Sequence, residues 1–87
     1  MKIELRVKYI NGDSEDVDAI FIDFISFERD RKKSVVQFDK NLLLTDLAWL
    51  AWHSVKRNNK TDLIFDPAWL ATVETVEVRE DPAPDPT

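Results

Sequence analysis

The side chains in this chain best suited to chemistry are a single histidine and a run of carboxylates. His53 is the only histidine, and it lies on a predicted helix between Trp52 and Ser54. Hydrolysis by a serine nucleophile needs a base positioned against it by a third group. The sequence offers no clear set of this kind, so we expect a structural or surface role for His53. The single glycine is too few for a phosphate-binding loop, and no cysteine is available for a thiolate metal site. We therefore expect no enzyme activity and no cofactor.

The carboxylates form a short acidic run in and after a predicted hairpin turn. They belong to Asp13, Glu15, Asp16 and Asp18. The run lacks the ligand spacing and the central glycine of a calcium-binding loop, so we expect no metal site. Charged residues along an outer strand prevent pairing with the edges of other sheets. We therefore interpret the run as a solvated strand edge.

The overall charge argues against nucleic acid as a partner. The net charge is −5, and most of it falls in residues 74–87, which hold five acidic residues and one arginine. Binding of phosphates needs a basic face, which this distribution does not provide. Basic residues cluster only at 29–33 and at 56–60, each at the end of a predicted helix where cations favour the helix dipole. A specific anion site is the alternative interpretation of these clusters.

The sequence also lacks the features of a membrane or exported protein. No apolar run approaches the about 18–20 residues that cross a bilayer. The first ten residues alternate charged and apolar side chains, unlike a signal peptide. We therefore expect a cytoplasmic protein.

The N-terminal region predicts a β-hairpin. Residues 2–9 alternate charged and apolar side chains, which is typical of a half-buried strand. Asn11 and Gly12 predict a type I′ turn, in which both central residues have positive φ. The return strand is expected from about Ser14 to Phe21. The inward positions of the two strands are Ile3, Leu5, Val7, Tyr9, Val17, Ala19 and Phe21. An isolated hairpin is marginally stable, so this face must pack on helices.

Three shorter segments complete the prediction around a long central helix. Asp23 is expected to be the N-cap of a helix of about ten residues. Its apolar face would hold Phe24 and Phe27, with Ile25 as a further candidate. Residues 34–40 fit either a third short strand or an extended linker. Asp66-Pro67 predicts the start of a helix that runs to about residue 75, unless the β-branched residues there become extended near residue 76.

The central helix, expected from about residue 42 to 58, is apolar almost all the way round. A surface helix normally shows one apolar stripe, so this one must be covered by the rest of the fold or by a partner. We expect Trp52 and Trp69 mainly in the core, whereas Trp49 could lie in the core or at its rim. Exposed aromatic and leucine side chains mark partner surfaces. The candidate partner-binding residues are Leu42, Leu43, Trp49 and Trp52.

Together these patterns predict an α+β fold. We expect a single domain at residues 1–78, with the N-terminal β-hairpin packed on about three α-helices. Residues 79–87 are acidic and rich in proline, so we expect a disordered tail.

The order of these features resembles the small tail assembly chaperones of long-tailed bacteriophages, particularly phages of actinobacteria. The resemblance covers roughly residues 3–78. It begins with the charged-apolar strand, the Asn-Gly turn and the acidic return strand, followed by a capped helix. The sequence motifs that carry it are Phe27-Glu28-Arg29, Leu50-Ala51-Trp52-His53, Arg57, Phe65-Asp66 and Val73-Glu74-Thr75-Val76-Glu77-Val78.

This resemblance implies a non-enzymatic role in tail assembly and virion morphogenesis in the host cell cytoplasm. Such chaperones coat the long, helical, apolar tape measure protein before the tail tube polymerises around it. A helix with surplus apolar surface suits a groove for an amphipathic partner helix, and many weak copies along one partner gain avidity. The alternatives are a structural tail or head-tail joining protein that forms rings, and a small regulatory or antitoxin-like binding module. Homo-oligomerisation is left open.

Overall fold

A computed structural model describes residues 1–32 and 44–79, which form a three-stranded antiparallel sheet packed against helices. The strands are β1 (Lys2–Tyr9), β2 (Ser14–Ile20) and β3 (Val73–Val78), in the spatial order β2-β1-β3. The helices are α1 (Phe21–Arg31) and α2 (Leu44–Arg57), and two short helical turns follow at Phe65–Trp69 and Leu70–Thr72. The predicted α+β class is confirmed. The predictions for residues 34–40, for the start of the central helix before Leu44 and for residues 80–87 of the tail lie outside the described residues. Arg79, expected to be the first residue of the disordered tail, is instead ordered, and its N–H donates to the Glu4 carbonyl at 2.8 Å.

The N-terminal hairpin is confirmed, but the predicted turn type is wrong. β1 and β2 pair in antiparallel register, with Leu5 opposite Val17. A four-residue loop joins them, and Gly12 has φ of 98° whereas Asn11 has negative φ. The Asn11 side-chain oxygen instead accepts a hydrogen bond from the Asp13 N–H at 2.9 Å. The longer loop needs positive φ only at glycine, unlike the two-residue type I′ loop.

The prediction of a helix from Pro67 to about residue 75 is wrong for its second half. The helical turns end at Thr72, and Val73–Val78 becomes strand β3, with Val76 paired opposite Val7 of β1. β-branched residues favour strands, and pairing with β1 satisfies backbone groups that would otherwise form an open edge. Trp69 is almost fully buried, as expected, and its ring contacts Tyr9 edge-to-face.

The junction between β2 and α1 differs from the prediction in two ways. Strand β2 ends at Ile20, so Phe21 is the first residue of α1 and is 63% exposed, although it was expected inward. Asp23 is not the N-cap but the third residue of α1, and its carboxylate accepts a hydrogen bond from the Ile20 N–H at 2.8 Å. Phe24 and Phe27 are buried as predicted, whereas Ile25 is exposed.

Helix α2 lies at the centre of the core, in contact with α1 and all three strands. Its buried residues face the inward side of the sheet, and Trp69 closes the core near β1. Asp46 is buried, although acidic side chains usually face water, while Leu44 at the start of the described part of α2 is exposed. The apolar core consists of Leu5, Val7, Val17, Ala19, Phe24, Phe27, Ala48, Trp49, Leu50, Ala51, Val55, Trp69 and Val76.

The outward face of the sheet is covered by charged side chains. Arg6 of β1 lies in register between Asp16 of β2 and Glu77 of β3. Its Nε is 2.8 Å from the Asp16 carboxylate, and Lys8 is 2.8 Å from Glu77. The hydrogen bond from Arg6 lowers the pKa of the Asp16 carboxyl. Part of the acidic run is therefore paired across strands on a solvent-facing surface.

The stability of this fold should fall at high pH through Tyr9, the only tyrosine of the chain. Burial and the hydrogen bond that its hydroxyl donates to Glu15 raise the pKa of Tyr9 from 10.0 to about 12. The folded chain therefore holds this proton more tightly, and the resulting stabilisation is complete below pH 10 and lost between pH 10 and about 12. An absorbance titration of tyrosinate checks the pKa directly. Denaturation at several pH values should show this loss of stability in the native chain and not in Tyr9→Phe. A tyrosinate titration with its midpoint at pH 10 would contradict the raised pKa of Tyr9.

Candidate functional site

The centre of the helical layer is the buried carboxylate of Asp23, which is fully inaccessible to solvent. Arg57 of α2 approaches it with Nε at 3.2 Å from Oδ1 and Nη2 at 3.1 Å from Oδ2. Nδ1 of His53 lies 2.6 Å from Oδ1, and the Ile20 N–H donates to Oδ2. His53 donates to this carboxylate in the tautomer that carries the proton on Nδ1.

This cluster follows from the helical spacing of its members. His53 and Arg57 are four residues apart on α2 and therefore lie on one side of that helix. Asp23 lies in the first turn of α1, where the partial positive charge of the helix start favours a carboxylate. Removal of a carboxylate from water is costly, and the hydrogen-bond donors around Asp23 offset that cost. The cluster was not predicted from the sequence, although the four-residue spacing of His53 and Arg57 could have suggested a shared partner for the two side chains.

The hydrogen-bond network continues from α2 to the sheet. The hydroxyl of Ser54, itself fully buried, donates to the Asp18 carbonyl of β2 at 2.7 Å. Arg57 contacts the same carbonyl at 3.4 Å, and Arg79 binds the Asp18 carboxylate at 2.6 Å. Ser54 is thus directed at a backbone carbonyl inside the protein. The chemical effect of these contacts is to fix α1, α2 and β2 relative to one another.

An open groove runs along the surface between α1 and α2. On α1 its wall is formed by Ile22, Ser26 and Asp30, which recur every four residues and share one face of the helix. The residues that line the groove on the other side are Trp52, His53, Lys56, Arg57 and Asn59. The groove therefore lies directly over the Asp23 cluster, with His53 and Arg57 common to both.

Exposed apolar side chains continue from this groove onto α1. Ile22 is 47% exposed, and Phe21 and Ile25 are exposed beside it. Positions three and four apart are neighbours on a helix, so these three residues form one stripe, here called the α1 stripe. Sequence reasoning did not select it. The signal was the segment from Phe21 to Phe27, which holds more large apolar residues than one inward face can bury.

The four predicted partner-binding residues fall in different places. Leu42 and Leu43 lie outside the described residues. Trp49 is 5% exposed, with its ring stacked on His53 at 5.0 Å between centroids and edge-to-face with Phe27. Trp52 is partly exposed in the groove wall, and its Nε1–H donates to the Leu63 carbonyl at 2.9 Å. Of the two tryptophans, Trp52 is the more exposed. The partner-binding role of these residues remains a prediction.

Comparisons with protein-family models, curated proteins and solved structures found no match to this chain. Within residues 1–32 and 44–79, no helix is long and apolar enough to cross a membrane. The same two segments hold no cluster of three or more histidine or carboxylate side chains that could hold a metal ion.

Loss of the Arg57 guanidinium should strongly destabilise the fold. Arg57→Met leaves the buried Asp23 carboxylate without its two charged hydrogen bonds, and breaking a buried pair in this way costs about 3–5 kcal/mol. Arg29→Met is the matched control, because Arg29 is exposed and its ion pair with Asp30 is long at 4.0 Å. An exposed substitution of this kind should change the free energy of unfolding by about 0.5 kcal/mol or less. Urea denaturation measures the free energy of unfolding of both variants. Equal losses of stability in the two would contradict a stabilising role of the Asp23 cluster.

Proposed function

We propose that this protein is a non-enzymatic tail assembly chaperone of a long-tailed bacteriophage, and that it binds the tape measure protein in the groove between α1 and α2. The observation that carries the proposal is the α1 stripe beside this groove. The order of sequence features described above supports the choice of partner.

The dimensions and chemistry of the site favour a helical partner. Two roughly ten- to fourteen-residue helices wall the groove, and amphipathic helices bind such grooves through apolar residues at helical spacing. The groove offers apolar surface from Ile22 and Trp52, flanked by polar side chains at its ends. A tape measure protein, being long, helical and apolar, would present many such segments. Repeated weak contacts along it would add up to stable coating.

The two faces of the molecule also differ in the side chains that they expose, which are ion-paired on one face and apolar on the other. The outward face of the sheet carries cross-strand ion pairs such as Arg6–Asp16 and Lys8–Glu77. The large exposed apolar side chains of the helical layer and its loops lie away from that face. They are Phe21, Ile22, Ile25, Leu44, Leu63 and Ile64. A partner that needs apolar cover would therefore meet the helical layer.

Ile22→Ser should weaken binding of a tape measure fragment about tenfold or more. Burial of an isoleucine side chain contributes roughly 1.5–3 kcal/mol, and a tenfold change in affinity corresponds to about 1.4 kcal/mol. Ile10→Ser is the matched control, since Ile10 is also exposed but lies in the hairpin loop outside the groove. Isothermal titration calorimetry with the purified chain measures the affinities.

Circular dichroism and thermal unfolding of the two variants establish that both remain folded. The proposed function fails if the native chain shows no association with fragments of the tape measure protein. The assignment of the groove fails if Ile22→Ser and Ile10→Ser bind the fragment equally well.

A further inference from the structure

We infer that the partner segment of the α1–α2 groove is acidic as well as apolar, and that its carboxylates bind Lys56 and Arg31. This inference rests on the proposed function, because it specifies the chemistry of the partner at the same site. It identifies an amphipathic helix whose apolar stripe is flanked by Asp or Glu.

Lys56 is the first observation. Its ammonium group lies over the Trp52 ring, 5.0 Å from the ring centroid, at the edge of the groove. Across the two described segments, no carboxylate comes within ion-pairing distance of Lys56. The contact with the ring holds the ammonium group in place while leaving its remaining hydrogen-bond donors for a ligand.

Arg31 repeats this arrangement at the end of α1. Its guanidinium lies 6.0 Å from the centroid of the Phe65 ring, and Phe65 in turn contacts Trp52 with ring centroids 5.6 Å apart. In the described parts of the chain Arg31 also has no carboxylate in ion-pairing range. Two cations thus lie over neighbouring aromatic rings, with Lys56 in the groove lining and Arg31 beyond the residues that line it. An arginine that is held on an aromatic face is well suited to bind a carboxylate with two parallel hydrogen bonds.

Two other charged residues, Arg57 and Asp30, line the groove. Arg57 is neutralised by the buried Asp23 carboxylate. Asp30 lies on the α1 wall, and its carboxylate is 4.0 Å from Arg29. Lys56 in the groove and Arg31 near it outnumber the exposed Asp30 carboxylate, so the charge presented to a partner is positive on balance. Charge complementarity selects a segment whose side chains carry negative charge at the corresponding positions.

Two synthetic amphipathic peptides test this inference without the tape measure protein. Both carry the same leucine stripe, and the flanking positions are glutamate in one and lysine in the other. Binding is followed by NMR through the indole N–H signal of Trp52, assigned with a Trp52→Phe variant. We expect the glutamate peptide to bind about tenfold or more tightly at low salt, with a preference that shrinks as salt screens the charges.

Charge reversal in the protein supplies the control. Lys56→Glu should remove or reverse the preference for the glutamate peptide. Lys8→Glu changes the net charge equally but acts on the outward face of the sheet, so it should keep the preference. Equal binding of both peptides, or binding of neither, overturns the inference. A tape measure fragment that binds Lys56→Glu and the native chain equally, yet binds Ile22→Ser weakly, overturns it while leaving the proposed function standing.

Discussion

The arrangement of the helical layer depends on one buried carboxylate, that of Asp23. This side chain ties the start of α1 to His53 and Arg57 of α2, while Ser54 and Arg57 attach α2 to the carbonyl of Asp18 in β2. Such a carboxylate tolerates few geometries, because each hydrogen-bond donor that moves away leaves part of its desolvation cost uncompensated. The distance and angle between the two helices are therefore fixed by polar contacts as well as by apolar packing. Because the groove above the cluster lies between these two helices, its geometry is fixed as well.

The same constraint explains how the protein can expose apolar residues on a small helix. Phe24 and Phe27 bury the inward side of α1, and Asp23 anchors its first turn. The outer side of α1 is then left to Phe21, Ile22 and Ile25, which contribute little to the core. The outward face of the sheet instead carries cross-strand ion pairs such as Arg6–Asp16 and Lys8–Glu77. The chain therefore has one side covered by ion pairs and one side that exposes apolar side chains, and the proposed coating function would use the second side.

Features with local causes were predictable from the sequence, and features with long-range causes were not. Alternation in β1 and the inward positions of Phe24 and Phe27 follow from local periodicity, and both predictions are confirmed. The pairing of Val73–Val78 with β1 joins segments more than sixty residues apart, so the local Asp-Pro start signal misled the prediction toward a longer helix. The ion pair of Asp23 with Arg57 spans thirty-four residues, and a carboxylate near a helix start was read as a simple cap. The exposure of Phe21 followed from the position at which β2 ends, which the alternating pattern alone could not define.

Hydrogen–deuterium exchange of the native chain, alone and with a tape measure fragment, tests most directly the proposal that the fragment binds in the groove between α1 and α2. If the fragment occupies the groove, amide exchange should slow in α1 and in the C-terminal half of α2. The strands, whose ionic face is turned away from the partner, should exchange as before. Protection confined to the sheet, or no change anywhere under conditions where the fragment is bound, would contradict the assignment of this groove as the binding site.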